Sequence, residues 1–186
     1  MIWDNNEDIR LIQCPNDRRA IRRQLTDCRE ERRPYVFVTS TMTTPPLRRI
    51  LVPVSMLEEE TYKAEISTYL ARKSGAHIIL LQANDYGSHA QQNVNRIVTH
   101  IKNISSRTGE EISYEIIKAR KDSFSLVREA GERQRDFQYD LLILTASRDY
   151  GLDDILFGPP ELHAIRRAPV PVMLVNPRED LFSLCD

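Results

Sequence analysis

Two kinds of apolar spacing alternate along the chain. Uninterrupted apolar runs at 50–54 (ILVPV) and 76–83 (AHIILLQA) have the make-up of strands covered on both faces. Pro53 cannot donate a ladder hydrogen bond, so it belongs near the end of its strand. Between these runs, residues 58–73 place Ile66, Tyr69 and Leu70 on one helical face, and Gly75 follows as a C-cap would. Residues 91–107 carry Val94, Ile97, Val98, Ile101 and Ile104 on one stripe, closed by Gly109. ISYEIIKA at 112–119 predicts a third strand. A helix is expected over 123–138, capped by Asp122 or Ser123, with Phe124, Val127, Ala130 and Phe137 facing inward. DLLILTA at 140–146 and PVMLVN at 171–176 predict two more strands. The short helix between them, at 160–167, opens on a proline.

Strand and helix in alternation imply a parallel sheet with helices on both faces. The expected fold is therefore α/β, an open five-stranded parallel sheet. In such sheets the ligand crevice lies at the carboxyl ends of the strands, near the switch in strand order. Here it would be lined by Ser55 and Met56, by residues 82–85 and by residues 145–158.

The first 49 residues follow another plan. DIRLIQ at 8–13 and PYVFVT at 34–39 read as strands, residues 17–32 as a charged helix, and TMTTPP at 41–46 as a linker. This strand–helix–strand order parallels residues 141–175. AIRRQL at 20–25 matches AIRRAP at 164–169, and PYVFV matches PVMLV. One reading is the tail of an upstream copy of the same domain. The other is an extension added to the sheet edge. In both, an apolar strand such as PYVFV needs pairing, either with the main sheet or with another chain. The expected boundaries are an extension at 1–46, a main domain at 47–178 and a tail at 179–186.

Composition narrows the function. At 186 residues and 41% hydrophobic, the chain can bury a core without staples. The arginines of the first helix (Arg18, Arg19, Arg22 and Arg23) are offset by nearby acids, and the net charge is −1, so no nucleic-acid face is expected. No apolar run reaches the ~20 residues of a membrane span. Cys14, Cys28 and Cys185 form no CxxC pair, and the four histidines lack zinc spacing, so no metal site is expected. The cysteine usage and the absence of a secretory start point to the cytoplasm. No GxSxG frame and no Walker motif is present, so no catalytic residue is assigned.

The quoted segments together resemble the universal stress protein family over residues 47–177. ILVPVS is similar to that family's opening strand, KSGAHIILLQA to the end of its first helix and second strand, DLLILTASRDYGLDDILFG to its strand and glycine loop, and RRAPVPVMLVNP to its close. The resemblance implies an adenine-nucleotide fold, often dimeric through the last strand, and tied to stress survival rather than to a defined reaction. Carried over by position, the nucleotide-contacting residues fall on Pro53, Ser55, Thr145, Arg148, Gly158 and Pro159. Ser55 stands where the family has aspartate. Thr145 and Arg148 stand at two of its glycines, and Pro159 stands at its serine or threonine; Gly158 and Pro53 are retained. Cβ atoms at the first two positions resist the backbone conformations that cradle phosphate, and Pro159 has no N–H. Each lost charge-assisted bond removes ~1.5–3 kcal/mol, so two or three losses cost several orders of magnitude in affinity. The expectation is a non-enzymatic stress-response or regulatory domain without a resident cofactor, acting by dimerisation or partner binding. The pairing expected is a homodimer, or a tandem-type contact, through 171–176 and 34–39. The alternative is an adenine-nucleotide binder, taking ATP or AMP through altered loop contacts with slow or no hydrolysis. A third reading is a regulatory module of a larger tandem protein or transporter.

Overall fold

The computed structural model describes residues 8–28, 31, 33–147 and 159–176. Seven strands form one sheet: β1 (Arg10–Cys14), β2 (Tyr35–Thr39), β3 (Arg49–Val54), β4 (His77–Gln82), β5 (Tyr114–Lys118), β6 (Leu141–Thr145) and β7 (Val172–Val175). Their order is β1-β2-β7-β6-β3-β4-β5, and every neighbouring pair is parallel except β2–β7. The predicted five-stranded parallel sheet is thus present as β7-β6-β3-β4-β5. The switch in strand order lies between β3 and β6.

The helices are α1 (Arg18–Cys28), α2 (Lys63–Ser74), α3 (His89–Thr108), α4 (Leu126–Glu132), α5 (Gln134–Phe137) and α6 (Pro160–Arg167). A 3-10 turn (Glu58–Tyr62) leads into α2. Each follows from its residues. In α1, Ile21, Leu25 and Cys28 share one face and are buried. The Asp17 carboxylate caps this helix, accepting from the Arg19 and Ala20 amides at 2.9 Å. Gly75 and Gly109 end α2 and α3 in the left-handed region, at φ 71° and 72°, as the sequence predicts.

Three expectations fail between 123 and 138. The segment is two short helices, broken at Arg133 (φ −105°). Arg133 there ion-pairs with both Glu129 and Asp136. Phe124 does not face inward: it precedes the helix and is 85% exposed, while the adjacent Leu126 takes the buried position. The cap is Ser125, whose amide donates to the Asp122 carboxylate.

PYVFV pairs with the main sheet within the same chain. Val36 lies opposite Met173, flanked by Tyr35 opposite Leu174 and Phe37 opposite Val172. Val36 and Met173 hold the same place, two residues after their prolines, so the pairing is symmetric about that contact. The flanking registers match as well: Leu11 lies beside Val36 as Ile143 lies beside Met173. The matching AIRR segments fall in α1 and α6, which pack against each other.

This junction is buried and bonded. One core cluster contains Ile21, Leu25 and Phe37 from the first unit and Leu162, Ile165 and Leu174 from the second. Buried Asn176 donates to the carbonyls of Cys28 (2.9 Å) and Glu31 (2.8 Å) and accepts from the Tyr35 hydroxyl (3.3 Å). All three bonds span the two units.

Candidate functional site

A cavity of about 300 Å³ opens at the carboxyl ends of β3 and β6, where the strand order reverses. Pro53 and Ser55 line it from the end of β3, and Thr145, Ala146 and Ser147 from the end of β6. Ser123, Phe124, Leu126 and Val127 form a wall from the segment after β5. Leu57, Glu59, Glu60 and Lys63 lie on the 3-10 turn side, and Pro160 and Glu161 close it from α6.

Of the residues predicted for the site, the structure brings Pro53, Ser55 and Thr145 to this cavity. Pro159 caps α6 next to Pro160, which lines the cavity. Arg148 and Gly158 lie outside the described residues. The crevice expected over 82–85 is divided. Met56, Asn84 and Asp85 line a separate, more open cavity with Tyr86, Arg120 and Lys121. Asp85 binds the Ser123 amide (2.8 Å) and hydroxyl, and Ser123 Oγ accepts from the Met56 amide at 2.9 Å. These bonds fix the loops after β3, β4 and β5 to one another.

The polar groups of the first cavity are mostly occupied by the chain itself. Ser55 accepts from the Leu57 amide (3.3 Å) through Oγ and from Asn93 Nδ2 (3.0 Å) through its carbonyl. The ammonium of buried Lys63 donates to the Pro53 carbonyl and to the Glu60 carboxylate. The carboxylate of buried Glu161 spans Ser147: Oε1 accepts from the backbone N–H at 2.8 Å and Oε2 from the hydroxyl at 3.1 Å. Both prolines at the start of α6 lack an N–H. Thr145 Oγ1 is buried and has no hydrogen-bond partner among the described residues.

Sequence reasoning missed Glu161 and Lys63; Ser147 falls within the lining predicted over 145–158, but its tie to Glu161 was not foreseen. Glu161 reads along the chain as an acid in the first turn of a helix, where the dipole favours it. Nothing in the linear order ties it to Ser147, fourteen residues earlier. Lys63 lies ten residues beyond Pro53, and only the 3-10 turn brings it back over that carbonyl.

Among the described residues no helix is long and apolar enough to cross a membrane, and no cluster of His, Cys, Asp and Glu has metal-ligating geometry.

No family model and no curated protein matches the chain. Solved structures do. A universal stress protein from Archaeoglobus fulgidus superposes with a TM-score of 0.63 at 15% identity, over 95% of this chain and 63% of its own. A universal stress protein in complex with cAMP gives 0.53 at 14% identity, over 72% of this chain and 100% of its own. A functionally unknown protein from Pseudomonas aeruginosa gives 0.56 at 13%, over 94% of this chain and 64% of its own. The chain therefore spans just under two thirds of the length of the first and third of these proteins. The fold is that of the universal stress proteins.

Proposed function

We propose that this chain is a divergent universal-stress-type regulatory domain that works without catalysis, through contacts with other proteins, its nucleotide site replaced by internal bonds. The observation that carries this reading is the Glu161 carboxylate on Ser147. A phosphate at the end of β6 would need backbone N–H and hydroxyl donors, and a side chain of the protein already takes both. The remaining features agree. Ser55 replaces the expected carboxylate, Thr145 replaces a glycine, Pro159 replaces a serine or threonine, and the ammonium of Lys63 is held by Glu60. Free Cys14 and buried free Cys28 suit a reducing compartment such as the cytoplasm.

The antiparallel β2–β7 contact supports a second part of this reading. Its symmetry about Val36 and Met173, with matching sequence in α1 and α6, fits a half-copy of the domain seated on the main domain's last strand. Seated there, it replaces a homodimeric partner at that edge with a segment of the same chain.

One observation favours nucleotide binding through altered contacts: the crevice persists at the ends of β3 and β6. Thermal shift separates the two readings. At about 1 mM ATP, ADP or AMP, a micromolar site adds ~4 kcal/mol of stability, a rise of several degrees. The regulatory reading predicts no rise; a rise of that size with any of the three nucleotides would overturn it.

A further inference from the structure

The ammonium of Lys63 is closed between the Pro53 carbonyl and Glu60. Three donors lie at the end of β6: the Ser147 amide, the Ser147 hydroxyl and the Thr145 hydroxyl. The first two are taken by Glu161, one by each oxygen, in the two-pronged way a bound oxyanion would take them. The third is buried and has no hydrogen-bond partner among the described residues. Glu161 itself is 3% exposed, so its charge is only weakly screened by solvent.

We propose that Glu161 is the charge filter of this crevice: a tethered anion that sits where a ligand's phosphate would sit and keeps phosphate-bearing ligands out, leaving the cavity to ligands uncharged at that end. The proposal rests on the reading of a nucleotide site replaced by internal bonds, and it goes further by assigning the exclusion to one side chain. Loss of glycines and of the Pro159 amide lowers affinity by removing donors. A buried carboxylate acts differently, by repelling any second anion at contact distance while occupying the donors that remain. Neutralising it therefore does two things: the repulsion goes, and the Ser147 amide and hydroxyl become available to an outside oxyanion. A role for Glu161 limited to tying β6 to α6 would alter stability without creating affinity for anions.

The test uses the full chain and two probes, inorganic pyrophosphate and ATP, titrated calorimetrically into the wild type, Glu161→Gln and Glu161→Ser. Two neutral variants are made so that one with a wild-type circular dichroism spectrum carries the measurement. The expected result is that the neutral variant binds pyrophosphate and ATP roughly ten-fold or more tightly than the wild type does. Adding Ser147→Ala to that variant is expected to reduce the gain. Glu161→Asp, which keeps the charge, is expected to show no gain. A folded neutral variant whose affinity for both probes equals that of a non-binding wild type would overturn the charge filter and leave the regulatory reading standing. Tight ATP binding by the wild type would overturn both.

Discussion

Glu129 shows how one side chain shapes the wall of the crevice. Its carboxylate accepts from the Arg120 amide (3.0 Å), the Lys121 amide (2.8 Å) and the Arg133 guanidinium (2.6 Å). It thereby folds the segment after β5 back onto α4 and places Ser123 and Phe124 at the cavity. Burial pushes this carboxyl up, but those hydrogen bonds and the charge of Arg133 outweigh it and hold the carboxyl below its ordinary value. A folded-state pKa below the unfolded one stabilises the protein above the ordinary carboxylate range, and the contribution is lost as pH falls through the folded value. Glu129→Gln is therefore expected to cost about 1.5–3 kcal/mol at pH 7, read by urea unfolding. The gap to wild type should narrow as pH drops below about 4. A gap that stays constant with pH would show that the charge contributes nothing. The same scale marks the limit of what the chain's linear order reveals. Ser55 and Thr145 were legible as lining residues of the crevice because each sits at a strand end, which hydrophobic runs locate well, while Pro53 came from the resemblance. Glu161 was not, because its role arises from a side chain reaching a partner fourteen positions back along the chain, and no spacing rule encodes that reach.

Among the elements, the pairing of β2 with β7 matters most. Runs such as PYVFV and PVMLV are readable as strands by composition, and each carries a proline at its start. Their need for a partner follows from edge-strand physics. Which edge they meet, and in which direction, depends on tertiary packing. Asn176 holds the two units together at the end of β7 with three hydrogen bonds, two of them buried. Asn176→Ala removes the acceptor of one Tyr35 hydroxyl bond and the donors to two carbonyls, so a loss of roughly 1–3 kcal/mol is expected by thermal or urea unfolding. Tyr35→Phe, which removes one hydroxyl but keeps the ring, should cost less, about 0.5–1.5 kcal/mol. Equal losses would assign the stabilisation to the hydroxyl bond alone, with nothing contributed by the two carbonyl bonds. The segment 123–138 went the other way. Its apolar spacing suits one helix, but Arg133 leaves helical geometry there and its guanidinium packs over the Phe137 ring at 4.5 Å. Such a local contact is invisible to periodicity.

For the whole molecule, the shared core predicts that both units unfold together. Cys28 is fully buried in α1, inside the cluster that also holds Leu162, Ile165 and Leu174 of the main unit. In a Cys14→Ser, Cys185→Ser background, thiol labelling of Cys28 across a urea series should follow the far-ultraviolet circular dichroism transition. Labelling that precedes the transition would show that the first unit detaches on its own. The architecture was legible at this scale because parallel strands buried on both faces make continuous apolar runs, and because glycines mark the ends of α2 and α3. The contents of the crevice were not, since a scaffold holds its shape through core packing whatever its strand ends bind.

The account depends on a crevice that has kept its place in the fold while the protein's own groups fill its anion-binding end. A calorimetric titration of the wild-type chain with ATP tests this most directly. The account predicts heats no different from dilution at ligand concentrations up to about 1 mM, that is, less than ~4 kcal/mol of binding free energy. A saturating isotherm with micromolar affinity would contradict it.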